Sequence, residues 1–212
     1  MWGTLITFEG VEGSGKTTQA RLLAEYLKTL GYQVILSREP GGTEIGERIR
    51  RILLDNQLKQ MHPLTELFLY LASRNQHTRE KIIPALQAGR IVIVDRYADS
   101  SVAYQGHGRE LGEKLISRLN KLATATIKPD ITFLIDLPVR IGQNRKRKEE
   151  PDRLEQEADS FHERVRNGYL KLARRAPKRI KIISGNQPAD EIQNQIRSQV
   201  AELLTRKGVN KK

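Results

Sequence analysis

The run Gly10-Val11-Glu12-Gly13-Ser14-Gly15-Lys16-Thr17 brings together glycines, a lysine and a hydroxyl at a spacing that suits phosphate chemistry. Glycines let the backbone curl until successive N–H groups converge on an anionic oxygen. A lysine at the end of the curl reaches the outer phosphates, and the hydroxyl that follows it can ligate a divalent cation. The spacing is that of the P-loop, and it predicts a nucleoside triphosphate site. In that site Gly10, Val11, Glu12, Gly13, Ser14, Gly15, Lys16, Thr17 and Thr18 surround the phosphates of ATP, with Thr17 on Mg²⁺. Ile91-Val92-Ile93-Val94-Asp95 is an apolar run ending in a carboxylate, and Asp95 is the second residue expected to order Mg²⁺ or its water shell.

Such a loop needs a strand to deliver it and a helix to follow. Leu5 to Phe8 precedes it, and further β-branched apolar runs occur at Val34 to Leu36, Ile91 to Val94, Ile131 to Ile135 and Ile180 to Ile183. Continuous rather than alternating apolar runs fit strands buried on both faces. Helical pattern long enough for a crossover separates each from the next, so the expectation is an α/β, three-layer P-loop fold with about five parallel strands flanked by helices. The first helix runs from near Lys16 to Leu30 with Gly31 as its left-handed cap, and Gly89 punctuates the chain in the same way before the third strand. The last helix opens at Pro188 and closes at Arg206-Lys207 before Gly208, leaving 208–212 as a flexible tail.

The length of 212 residues fits a single domain over 1–212. With no cysteine there is no disulfide framework, and a cytoplasmic protein is expected. No secretory leader is visible, and no apolar run approaches the roughly 20 residues needed to cross a bilayer, so no membrane partner is expected. A net charge of +12 favours acidic ligands. Nucleic acid would also call for aromatics interleaved with the basic residues, and at 5% aromatic content small phosphorylated substrates are the better fit. His62, His77, His107 and His162 have no metal-ligand spacing and are read as surface or capping residues.

A P-loop specifies nucleotide use rather than a reaction. The chain lacks the Asn-Lys-x-Asp of a GTPase, and it carries Arg140, Arg145, Lys146, Arg147, Lys148 and Arg153 after its fourth strand, where a cationic lid over about 140–153 would suit a small kinase. Five further segments are collinear from about Thr4 to Ala173: Phe8 to Thr18, Arg38-Glu39-Pro40-Gly41-Gly42-Thr43, Tyr70-Leu71-Ala72-Ser73-Arg74, Asp95-Arg96-Tyr97 with Ser100 to Gly106, and Asp152-Arg153-Leu154-Glu155. In combination they resemble the thymidylate kinase family.

The resemblance implies Mg²⁺-dependent transfer of the ATP γ-phosphoryl group to dTMP, giving dTDP and ADP in dTTP synthesis, by a homodimer. Arg38 and Arg96, at strand ends where open α/β sheets bind ligands, are assigned to the acceptor phosphate; the alternative for either is a surface salt bridge. Tyr70 and Arg74 lie four residues apart on one helix face. Spacing alone makes Tyr70 a core residue, whereas the family pattern makes it stack on thymine while Arg74 bonds the base. By the same resemblance Ser101 and Gln105 face the base edge, Tyr104 packs where a ribose 2′-hydroxyl would project, and Glu12 holds the acceptor's 3′-hydroxyl. Some members carry an arginine where this chain has Gly13, and those without it resemble the group that supplies the charge from the lid. Lys16 and Arg96 are then joined as catalytic residues by Arg147 and Arg153. Two other readings stay open on the residues: another small P-loop kinase acting on deoxynucleosides, and a basic nucleic-acid-binding P-loop protein.

Overall fold

The computed structural model describes residues 2–146 and 150–209. Five parallel strands, β1 (Thr4–Glu9), β2 (Val34–Arg38), β3 (Ile91–Asp95), β4 (Ile131–Asp136) and β5 (Ile180–Ser184), form one sheet in the order β2-β3-β1-β4-β5. The helices are α1 (Lys16–Thr29), α2 (Glu44–Leu54), α3 (Pro63–His77), α4 (Ile83–Gln87), α5 (Ala98–Ser101), α6 (Glu113–Ala123), α7 (Val139–Lys146), α8 (Asp159–Arg175) and α9 (Ala189–Lys207). Two stretches, Thr78–Ile82 and Val102–Gly108, wind as π-helix.

The apolar runs of β1, β3 and β4 became strands because each packs on both sides. Ile6, Phe8, Phe133, Ile135 and Ile183 face α1 and α9, where Leu23, Leu27, Ile196 and Val200 close the layer. Leu5, Val92 and Val94 face the opposite layer with Ile82 and Leu86, and Leu134 joins Tyr104, Phe161 and Val165 there. Full burial of each such side chain contributes roughly 1.5–3 kcal/mol. The edge strands depart from the expected two-sided burial, with Leu36 of β2 42% exposed and Ile182 of β5 50% exposed. An apolar run cannot say which strands end at the margin.

Gly31 and Gly208 adopt the left-handed conformation that ends α1 and α9, and Gly89 does so before β3. The expected tail begins later than Gly208: Val209 packs on the core beside Leu204, and 210–212 lie outside the described residues. The histidines also differ from expectation. His62 caps α3 by accepting from the Leu64 N–H, but His77 and His162 are buried.

Register brings the functional ends together. Phe8 and Arg38 both lie opposite Asp95, so Glu9, Arg38, Asp95 and Arg96 emerge along one edge of the sheet. The chain crosses from β1 to β2 on one side and from β3 to β4 on the other, so β1 and β3 flank the point where ligands of open α/β sheets bind.

Candidate active site

At this edge lies a cleft of about 650 Å³. Its floor is the loop between β1 and α1. Gly15, in the left-handed region, caps α1, and the first turn of α1 has no acidic residue, so its positive end is open to an anion. Lys16 curls back to donate to the Val11 carbonyl at 2.7 Å and to Ser14 Oγ at 3.4 Å. A side chain at position 13 has no room, since a Cβ on Gly13 would stand 2.2 Å from the Gly142 carbonyl of α7. This close approach is why the loop carries no arginine there.

Burial, with Arg96 acting in the same direction, lowers the Lys16 ammonium to about 8 against the opposing pull of Glu12, Asp95 and Glu9. A bound triphosphate would raise it again, so above pH of about 8 binding must take up a proton that the free protein has lost. Apparent ATP affinity is therefore expected to be flat below that pH and to fall, by up to about tenfold per unit, above it. Calorimetric titrations in buffers of different ionisation enthalpy check this, and equal affinity at pH 7 and pH 9.5 would contradict it.

Thr17 Oγ1 donates to Asp95 Oδ2 at 2.5 Å, and Asp95 Oδ1 is buried without a partner. That orphaned oxygen beside a hydroxyl suits a divalent cation whose remaining ligands are phosphate oxygens or water. Among the described residues no three His, Cys, Asp or Glu are grouped to hold a metal ion. Thr18, the next residue along α1, is exposed.

Arg96 is the hub of the cleft. Its backbone is left-handed, at φ 68°, and its N–H donates to the Phe8 carbonyl. Nη1 donates to the Gly10 carbonyl at 2.9 Å and to the Tyr169 hydroxyl at 3.1 Å, while Nη2 pairs with Glu12 and donates to the Tyr104 hydroxyl at 3.1 Å. Burial would raise the Glu12 carboxyl, but Arg96, Lys16 and Lys146 together bring it down to about 2, so it is ionised. Behind Arg96, Glu9 accepts from the Tyr97 N–H, Ser100 Oγ and the Tyr169 hydroxyl. Burial first and Asp99 second push the Glu9 carboxyl up to about 7.

The far wall carries the remaining expected residues. Tyr70 is half-buried, lines the cleft and packs on the cluster of Tyr104 and Phe161, so the core and cleft readings both apply to it. Arg74 lines the cleft with four of its five guanidinium N–H donors in hydrogen bonds: Nε to Glu39, Nη1 to Ser101 Oγ and Asn120 Oδ1, Nη2 to the Tyr97 carbonyl. Ser101 and Gln105 share the cleft although a change from α- to π-helix falls between them, and Gln105 Nε2 donates to Glu66. Tyr104 presents its ring edge to Phe161 and Tyr169 and its hydroxyl to Glu12. Arg38 lines the cleft while forming a half-exposed ion pair with Glu47 at 2.9 Å, the salt bridge that its sequence position left open.

The lid cations divide differently from expectation. Arg153 does not reach the cleft: it is buried, donating to the Leu53 carbonyl at 3.0 Å and to Glu66 Oε2 at 2.7 Å. Burial drives a guanidinium to the nearest carboxylate, and Glu66 provides it. Arg147 lies outside the described residues. Lys146, paired with Glu155, lines the cleft instead. Arg145 bridges the Gly13 and Gly185 carbonyls.

Sequence reasoning gave no role to Glu9, Glu39, Glu66, Asn120 or Tyr169. Glu66 alone carried a local signal, since it lies four residues before Tyr70 and so shares its face of α3.

A sequence model described as thymidylate kinase matches residues 8–196. The chain is 46% identical over 207 residues to the thymidylate kinase of Pelobacter propionicus, covering 94% of each. It is 48% identical over 192 residues to that of Kosmotoga olearia, covering 90% of this chain and 92% of the relative. The crystal structure of the Ehrlichia chaffeensis thymidylate kinase superposes with a TM-score of 0.78 at 35% identity, covering 94% of this chain and 99% of that one. With the family model matched over residues 8–196 and relatives at 46–48% identity covering at least nine-tenths of the chain, the chain belongs to the thymidylate kinase family of phosphotransferases.

Proposed function

We propose that this protein transfers the γ-phosphoryl group of ATP, with Mg²⁺, to dTMP, releasing dTDP and ADP, and that it serves dTTP synthesis. One observation carries the reading: a single cleft has a phosphate cradle at one end, an aromatic, guanidinium and amide set at the other, and Arg96 between them. Lys16 and the N-terminus of α1 hold the donor phosphates. Tyr70 stacks on the pyrimidine, Arg74, Ser101 and Gln105 read its edge, and Arg38 and Arg96 hold the acceptor phosphate. Glu12 takes the 3′-hydroxyl, and the Tyr104 ring fills the space a ribose 2′-hydroxyl would need.

The acceptor phosphate is already largely ionised, so no general base is required, and catalysis consists of alignment and neutralisation. An acceptor phosphate oxygen forms the new P–O bond, the bond to the bridging β,γ-oxygen breaks, and ADP leaves with those electrons. Lys16 and Arg96 face the charge that develops on the γ-phosphoryl oxygens. Thr17 and Asp95 would hold Mg²⁺, which when bound neutralises phosphate charge.

The same reading takes 1–212 as a single domain in the cytoplasm with no nucleic-acid partner. It also makes the protein a homodimer, supported by exposed Ile45 and Ile52 on α2 beside exposed Leu64 and Phe68 on α3.

A coupled assay with dTMP, dUMP, AMP, CMP and thymidine tests the assignment. Highest kcat/KM is expected for dTMP, and thymidine is expected to be unphosphorylated. Preference for thymidine would support a deoxynucleoside kinase, and turnover dependent on DNA or RNA that falls steeply with salt would support the nucleic-acid reading.

A further inference from the structure

Glu66 sits fully buried in the first turn of α3, a costly place for a carboxylate unless several cations meet there. Oε1 accepts from Gln105 Nε2 at 3.0 Å, and Oε2 accepts from Arg109 at 3.0 Å and Arg153 at 2.7 Å. These partners come from different parts of the molecule. Gln105 lines the cleft from the π-helical stretch, whereas Arg153 belongs to the turn that follows the basic segment. The Asp152 carboxylate accepts the N–H groups of Leu154 and Glu155, which ties Arg153 and Glu155 into one hydrogen-bonded turn. Glu155 in turn pairs with Lys146, whose charge reaches Glu12 beside the phosphate loop.

We propose that Glu66 is a positioning residue: by clamping Arg153 it fixes the turn at 152–155, and through Glu155 the Lys146 ammonium, relative to the wall that receives the acceptor base. The inference rests on the proposed dTMP kinase activity and adds to it a relay, Gln105 to Glu66 to Arg153 to Glu155 to Lys146, linking the acceptor end of the cleft to a cation at the donor end. Arg109 strengthens the clamp, since it also pairs with Glu157 at 2.7 Å and lies over the Phe161 ring. A displacement of Lys146 by about an ångström is enough to matter, because misplacement of that size can lower turnover about a hundredfold.

Loss of a buried carboxylate also lowers stability, so a double-mutant cycle separates the two effects. Turnover of dTMP and melting midpoints are measured for the wild type, E66Q, K146M and E66Q/K146M. Each single substitution is expected to lower kcat at least about tenfold. The double variant is expected to lie close to the weaker single in kcat, while the melting-point losses add. Absence of dTMP phosphorylation by the wild type would remove the underlying reading. With that activity present, kcat losses that multiply, or a K146M variant at wild-type kcat, would overturn the relay alone. If E66Q does not fold, R153M cuts the relay on the other side of the clamp, and its cycle with K146M is read by the same criteria.

Discussion

Replacing Arg96 with methionine is expected to lower kcat for phosphoryl transfer by roughly 10³-fold or more, within the range associated with loss of a transition-state arginine. The side chain spans the cleft, holding the phosphate loop through the Gly10 carbonyl and the acceptor side through Glu12 and Tyr104. Its backbone occupies the left-handed region, a strain of order 1 kcal/mol or more that surrounding contacts must hold in place. Without the guanidinium, Glu12 keeps Lys16, Lys146 and the Tyr104 hydroxyl against the burial that raises it, and any charge it retains faces incoming phosphates. R96K keeps a cation but cannot reach Gly10, Glu12 and Tyr169 together, so its loss should fall between the wild type and R96M. Single-turnover measurements with both nucleotides saturating isolate the chemical step from product release. A loss of less than about tenfold under those conditions would show that Arg96 serves the fold rather than the transfer.

What the sequence could reveal depended on how local the cause was. β1, β3 and β4 are legible as apolar runs because both their faces are buried, and the phosphate loop is legible because its glycines, lysine and threonine are consecutive. The order of the strands is not local, which is why Leu36 and Ile182 read as interior residues but lie on edge strands. The buried carboxylates show the same limit. Tyr169 and Glu9 meet across 160 positions and Arg153 and Glu66 across 87, so a run of basic residues could not show that Arg153 turns inward. Family resemblance supplied expected roles for Arg74 and Gln105, and the fold adds that both are already bound to protein acceptors before any base arrives. An arginine held by four oxygen acceptors gives up little rotamer freedom when a ligand binds, which is the physical content of preorganisation.

The same preorganisation predicts the largest stability effect. Glu39 is expected to be the most sensitive residue outside the phosphate loop, with E39Q destabilising the protein by about 3 kcal/mol or more. Its carboxylate accepts from Arg74 Nε at 2.7 Å and contacts His77 Nδ1 at 3.0 Å, with all three side chains buried. Glutamine preserves shape and can preserve hydrogen bonds, because its amide can face His77 if the imidazole changes tautomer and donates to Ser37 Oγ. What it cannot preserve is the charge opposite Arg74, and an uncompensated buried guanidinium is the costly species. For a chain of this length the melting midpoint should drop by roughly 6–12 °C. A drop within 2 °C or so would mean that the Arg74 charge is compensated elsewhere. The double variant E39M/R74M separates the two roles of the pair. Replacing both charges with apolar side chains of similar volume should restore only part of the stability, because Asn120 Oδ1, the Tyr97 carbonyl and His77 Nδ1 lose their partners, while KM for dTMP stays high because the base needs the guanidinium. Recovery of both properties would show that Arg74 is a structural residue and that the base is read by Ser101 and Gln105 alone.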